Sequence, residues 1–308
     1  MDLVGGTKWL HKVRYCKDDA CCVKRLRLCG AILVGKTNMH ELGAGTSGIN
    51  PHYGTTRNPH DTNRIAGGSS SGSAAVVCAG LCPVALGVDG GGSVRMPAAL
   101  CGVVGLKPTF SRVPLSGVLP LNWTVGMVGI LAGTIEDALI VYAAISGPLS
   151  LHQSSDMPRV LLPNLKSPID IPNIKMAKYG ECFVWLTSGL MTVLMTLEFV
   201  VLMLWQNSMI NMDGRDKAVL GWDARVALAV YGAFSSREYL NAQRIRNRQL
   251  QFHKKIFAEA DVIVTPTTGY VYDLGWICLN ATCSVTAYPI QDDALKTGEL
   301  DYINGGTK

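Results

Sequence analysis

The stretch from residue 67 to residue 97 constrains this chain more than any other. It opens Gly67-Gly68-Ser69-Ser70-Ser71-Gly72 and runs on in small residues from Ser73 to Gly80. An apolar run follows, Val84-Ala85-Leu86-Gly87-Val88, and then Asp89-Gly90-Gly91-Gly92-Ser93-Val94-Arg95-Met96-Pro97. Small residues at Ala74, Ala75 and Val77 let a helix pack closely on a sheet, which calls for an α/β fold. Ser93 stands where the apolar strand ends, behind three glycines. Glycine lets the backbone turn freely and leaves no side chain in the way. Successive N–H groups can then converge on one point as an anion-binding nest. A nucleophilic serine at the end of such a nest has its oxyanion hole in place. The serines between Gly68 and Gly72 form a second wall of the same site.

The 308 residues are 48% hydrophobic and 17% charged, which suits one large or two small domains with ample core. The net charge of +5 is modest, and its basic residues gather at Lys8–Arg27 and Arg237–Lys255, where helical faces account for them. No nucleic-acid partner is expected. Ten cysteines are scattered through apolar or helical context, and Met1 leads into a Gly-Gly turn with no signal-peptide pattern. Reduced thiols in an intracellular protein are the expectation. Cys78-x-x-x-Cys82 has no partner cluster and no spaced His pair, so no metal site is expected.

The spacing of Cys22, Leu26 and Cys29 predicts a helix over Asp18–Cys29, stopped by Gly30 and followed by a short buried strand, Ala31–Val34. Gly30 to Thr37 matches the P-loop pattern letter for letter, but the residues that should wrap a phosphate are that strand itself. Gly43-Ala44-Gly45-Thr46-Ser47-Gly48 matches GxGxxG without a strand before it or a helix after it, and reads as a loop at the edge of the site. Residues 49–66 read as loop. Then come a helix over Gly72–Leu81, a central strand over Cys82–Val88 and a short strand over Gly102–Leu106. An ordered loop over Val113–Met127 precedes a helix from Gly133-Thr134 to Ile145, with Thr134 as N-cap. Phe183 to Trp205 is 23 residues with one charge, Glu198. It ranks first as an anomalous segment, then as a buried or monotopic helix, then as a membrane span. Ser235–Glu259 reads as a helix with Ala242, Ile245, Phe252 and Ile256 on one face, and Asp261–Pro266 as a strand. From Gly269 the pattern dissolves, and no further strand is expected. The domain reading is a core over 1–182, an apolar segment over 183–212 and a C-terminal part of the same domain over 213–308.

Residues 66 to 98 resemble the amidase signature family. Its signature is Gly-Gly-Ser-Ser/Gly-Ser-Gly, small residues, then Gly-x-Asp-x-Gly-Gly-Ser-Val-Arg-x-Pro, and this chain departs from it at Cys78, where Ala, Gly or Ser is usual. The segments 30–50, 101–109 and 261–269 are similar to the plant fatty acid amide hydrolases of that family. The resemblance implies the amidase signature fold, a mixed central sheet covered by helices on both faces, here incomplete at both ends. It implies a Ser–cisSer–Lys mechanism. Ser93 is the acylating nucleophile, and Ser69, in a cis peptide, shuttles the proton. Gly90, Gly91 and Gly92, with Ser93, supply oxyanion N–H groups, and Thr46 lines the acyl site. A serine needs a base beside it, and a lysine serves if desolvation holds it neutral. In the family that lysine lies upstream of the stretch found here at Gly5–Trp9, and no Lys of this chain occupies the position. Asp89 and Arg95 read as a charge pair that pins the glycine turn. The implied substrate is a lipid amide, an N-acylethanolamine cleaved to fatty acid and ethanolamine, with no cofactor and with activity impaired for want of the lysine. A membrane surface and a homodimer are the partners the resemblance allows. The alternatives are an inactive remnant and a glutamine amidase of the glutamyl-tRNA amidotransferase kind. A rival reading takes Gly68 to Gly72 as G-x-S-x-G with Ser70 as nucleophile, but that elbow needs a buried strand before it, and Asp61–Ala66 is polar. His40, His52, His60, His152 and His253 stand at no telling spacing.

Overall fold

The computed structural model describes residues 5–13, 16–119, 126–147, 174–178, 219–232, 235–267, 283–287 and 303–307. Its first half is organised on a strand that periodicity does not mark. Met127–Ala132 is a short apolar run without alternation, and such a run is ambiguous in sequence. All six of its residues are buried. It becomes β5, between β3 (Val84–Asp89) and β4 (Val104–Leu106), antiparallel to both. On one face Val128, Ile130 and Ala132 pack with Cys22 of α2 (Cys21–Leu28) and with Ala138, Tyr142 and Ile145 of α5 (Ile135–Ile145), and Met127 at the strand's start joins the same cluster. On the other, Leu131 packs with Ala74 and Val77 of α3 (Ser71–Cys78) and with Ala98 and Cys101 of α4 (Arg95–Cys101). Helices therefore cover both faces of this sheet, as an α/β fold requires.

The helix starts follow the expected chemistry. The Thr134 hydroxyl accepts the Asp137 N–H at 3.1 Å, capping α5. Ser235 and Glu238 form a reciprocal capping box at the start of α7 (Ser236–Phe257). Residue by residue, several expectations need correction. Cys29 is exposed, because it stands at the C-cap of α2 and not on its packed face. On α7 the buried residues are Ala242 and His253, eleven positions and so about three turns apart. Ile245 and Phe252 flank that line and are 36% and 45% exposed. Helix α4 comes where no helix was expected, since Pro97 sits in its first turn, where a missing N–H costs nothing.

Three segments change class. Ala31–Val34 is not a strand: it has no ladder partner among the described residues, and Ile32 and Val34 are 87% and 77% exposed. Within 49–66 lies a hairpin, β1 (Arg57–Asn58) and β2 (Asp61–Ile65), closed across Asn58 and Asp61. Both its faces are polar, so no alternation reveals it. Beyond Gly269 two further strands form, β8 (Cys283–Ala287) and β9 (Ile303–Thr307). With β6 (Met176–Lys178) and β7 (Val262–Pro266) they make a four-stranded sheet in the order β6-β7-β8-β9, parallel in its first pair and antiparallel in the others. Main-chain pairing holds Ser284, Thr286, Gly305 and Gly306 without an apolar pattern. The strands thus fall into three sheets among the described residues, and the mixed pairing belongs to the last.

A third cluster joins the first helix to residues 220–224. Leu10 of α1 (Leu10–Val13), Leu42, and Leu220 and Ala224 at the start of α6 (Trp222–Gly232) pack together. The apolar stretch 183–212 lies outside the described residues. Among those described, no helix is long and apolar enough to cross a membrane.

Candidate active site

Strand β3 ends on Asp89, which is fully buried. Its carboxylate is the hub of the glycine turn. Oδ1 accepts the Gly92 N–H at 2.7 Å and Arg95 Nη2 at 2.9 Å. Oδ2 accepts the N–H groups of Val94 and Arg95 at 3.0 and 3.3 Å, and Arg95 Nε at 3.0 Å. Burial alone pushes this carboxyl up, but the charges of Arg95 and Lys107 and the bonds from Arg95 and Val94 outweigh it. They hold Asp89 well below the usual carboxylate range. The pair expected between Asp89 and Arg95 is present, and it curls residues 90–95 around one anion.

That curl alters the expected oxyanion cradle. The Gly92 amide is committed to Asp89, so it faces away from any ligand. The amides of Gly90, Gly91 and Ser93 meet no acceptor among the described residues. Gly90, Gly91 and Ser93 thus keep open amides, and Gly92 serves the turn.

The serine wall lies directly against it. The Gly68–Ser69 peptide is cis. The Ser70 N–H donates to the Ser93 carbonyl at 3.0 Å and joins the two segments. Ser69 and Ser93 are both buried, 2% and 6% exposed. The other hydroxyls of this wall are occupied. Ser70 Oγ accepts the Val88 N–H at 3.3 Å, Ser71 Oγ donates to the Asn38 carbonyl at 3.3 Å, and Ser73 Oγ donates to the Leu86 carbonyl at 2.9 Å. Ser70 is thus pinned to strand β3, which argues against the G-x-S-x-G reading. The hydroxyls of Ser69 and Ser93 have no hydrogen-bond partner among the described residues, and they do not bond to each other.

The 43–48 loop closes the third side. A Cβ on Gly48 would stand 2.3 Å from the Gly67 carbonyl oxygen, and one on Gly68 would stand 2.6 Å from the Gly48 nitrogen and 3.2 Å from the Thr46 carbonyl carbon. Two glycine segments therefore touch backbone to backbone, which no other residue allows. This contact, not phosphate binding, accounts for the GxGxxG pattern, and it sets exposed Thr46 beside the cis peptide. Two residues with no signal in the sequence also reach the site. Lys107 is buried, donates to the Pro108 carbonyl at 3.1 Å and acts electrostatically on Asp89. The His40 N–H donates to the Ser69 carbonyl at 3.0 Å. Among the described residues no group of three or more His, Cys, Asp or Glu could hold a metal ion.

This constellation coincides with a family match. Residues 1–174 fit the model of the family described as Amidase. The chain belongs to the amidase family. The chain is 41% identical to a fatty acid amide hydrolase of Medicago truncatula, over 98% of this chain and 53% of that protein. It is 47% identical to an indoleacetamide hydrolase of Pseudomonas syringae pv. syringae, over 48% of this chain and 33% of that protein. With a glutamyl-tRNA(Gln) amidotransferase component of Nitratidesulfovibrio vulgaris it shares 52% identity, over 42% of this chain and 26% of that one. Among solved structures it superposes with a TM-score of 0.76 on a chain from work on a vestigial protein complex and the origins of an s-triazine catabolic enzyme. That match has 28% identity and covers all of this chain and 77% of the other. The chain spans about half the length of the curated relatives it matches.

Proposed function

We propose that this chain carries the acylating centre of a serine amidase acting on fatty acid amides such as N-acylethanolamines. The observation that carries the reading is that the buried residues Ser69 and Ser93 present hydroxyls with no hydrogen-bond partner among the described residues, on segments tied by the Ser70–Ser93 main-chain bond. In this reading Ser93 Oγ attacks the amide carbonyl, and its proton passes to Ser69. The amides of Gly90, Gly91 and Ser93 receive the charge that develops on the carbonyl oxygen. Ser69 then returns a proton to the leaving amine, and water releases the acyl group. Thr46 lines the acyl side. The relay needs a base at its far end, and the resemblance assigns that role to a lysine ahead of Gly5. For this chain the reading is acylation of Ser93.

The fatty acid amide substrate is favoured over glutamine by reach. The similarity to the plant hydrolase runs through 98% of the chain, and that to the amidotransferase component through 42%. A fluorophosphonate probe tests the proposal. Ser93 is expected to be the labelled residue, Ser93→Ala to abolish labelling, and Ser69→Ala to slow it by roughly a hundredfold. Labelling of Ser70, or none with a native circular-dichroism spectrum, would reject it.

A further inference from the structure

The acylation chemistry leaves one buried titratable side chain at the site without a role. His40 is 2% exposed, yet three parts of the chain meet at it. Its main-chain N–H donates to the carbonyl of Ser69, the residue in the cis peptide, at 3.0 Å. Its Nδ1 lies 3.4 Å from Ser47 Oγ, and its Nε2 lies 3.6 Å from Asp223 Oδ2 on α6. A Cβ on Gly45 would stand 2.3 Å from ring carbon Cε1 and 2.4 Å from Nε2, so the loop backbone rests on the ring. One neutral tautomer fits both polar contacts: Nε2–H faces the Asp223 carboxylate, and Nδ1 accepts from the Ser47 hydroxyl. Burial lowers the pKa of this imidazole, against the opposing pull of Asp223, and so favours the neutral form.

The loop that rests on the ring is the one that packs its Gly48 against Gly67 and sets Thr46 beside Gly68. The ring therefore holds the acyl-side loop, while the same residue's amide holds Ser69. We infer that His40 is a positioning residue of the amidase site, wound into the 43–48 loop and braced by Asp223, and that it sets where Thr46 and Ser69 stand relative to Ser93. This rests on the acylation reading above, which assigns those two residues their parts. It adds helix α6, about 180 positions away in sequence, as a brace for acyl-side recognition.

Two measurements on the full chain separate this inference from the reading beneath it. The first needs no activity. In hydrogen exchange, His40→Ala is expected to speed exchange across 41–50 and 67–70 at least tenfold, while α5 is unchanged. Asp223→Asn is expected to do so more weakly. The second compares Ser93 labelling by a long-chain alkyl fluorophosphonate and by a compact one. His40→Ala is expected to slow the long-chain probe about tenfold more than the compact probe, since misplaced binding groups lose orientation first. His40→Gln, which keeps a donor toward Asp223, is expected to restore that ratio to within about threefold. Unchanged exchange in both segments, or an equal loss with both probes, would overturn the positioning role. If the unaltered chain labels at no serine, the acylation reading fails, and the exchange result alone decides whether His40 holds the loop.

Discussion

Asp89 is the side chain on which the site's geometry turns. Five donor contacts converge on its two oxygens, three of them main-chain N–H groups of the 92–95 turn. Asp89→Asn would replace one acceptor oxygen by an amide NH2 donor facing other donors, and would leave Arg95 without its counter-charge. Breaking a buried pair in this way costs about 3–5 kcal/mol, so urea denaturation should show a loss of that order. The pH dependence has a definite sign. The folded carboxyl is held below its ordinary range, so it binds its proton less readily in the fold than in the unfolded chain. Its contribution is fully present above the unfolded value of about 3.9 and is lost as pH falls from there toward the folded value. Thermal melts below about pH 4 should drop steeply in the parent and less steeply in Asp89→Asn. The charge pair was legible from Asp89 and Arg95 standing on either side of the glycines. That Gly92 would be spent on the carboxylate was not, because any of the neighbouring amides satisfies the same pattern.

Among the elements, the instructive one is 31–34. Four apolar residues after a helix stop have the composition of a buried strand, yet Leu28, Ile32 and Val34 are 88%, 87% and 77% exposed. Strand formation needs a neighbour to take up backbone N–H and C=O groups, and none of the described strands lies alongside. An apolar extended run without a partner invites association. Ile32→Lys should therefore lower self-association in light scattering. It should change unfolding free energy by no more than about 0.5 kcal/mol, because the side chain it replaces packs on nothing. Strand β5 is the converse case. Its sequence alternates no better than that of 31–34, and it is buried because β3 and β4 pair with it and helices cover both faces.

For the whole molecule, the question is what joins the far segments to the site. Glu41 is 2% exposed, and both its oxygens are engaged: Oε1 with His52 Nε2 at 2.5 Å and Oε2 with the Gly221 N–H at 2.8 Å. The apolar contacts of Leu10, Leu42, Leu220 and Ala224 lie in the same region. A polar joint and a small apolar cluster thus fasten α6 behind the 40–53 loop. Glu41→Ala would leave the part-buried Gly221 N–H and His52 without their acceptor, at a cost of about 2 kcal/mol. Limited proteolysis should then cut within 219–232 before it cuts within α5, and the reverse order would show that the joint does not secure α6.

Short-range rules in the sequence settled the α/β class, the capped start of α5 and the stop of α2 at Gly30, and they singled out Ser69 and Ser93 as candidates. Each depends on residues within a few positions of one another: a cap and its turn, or a glycine run and the serine behind it. Tertiary structure alone decided which amides stay open in the cradle, why Gly45 and Gly48 must be glycines, that His40 and Lys107 stand at the site, and that 31–34 is bare while β5 is covered. Those outcomes turn on backbone and side-chain contacts between segments distant along the chain. Such contacts leave no period in either segment, because each partner supplies only half of the fit.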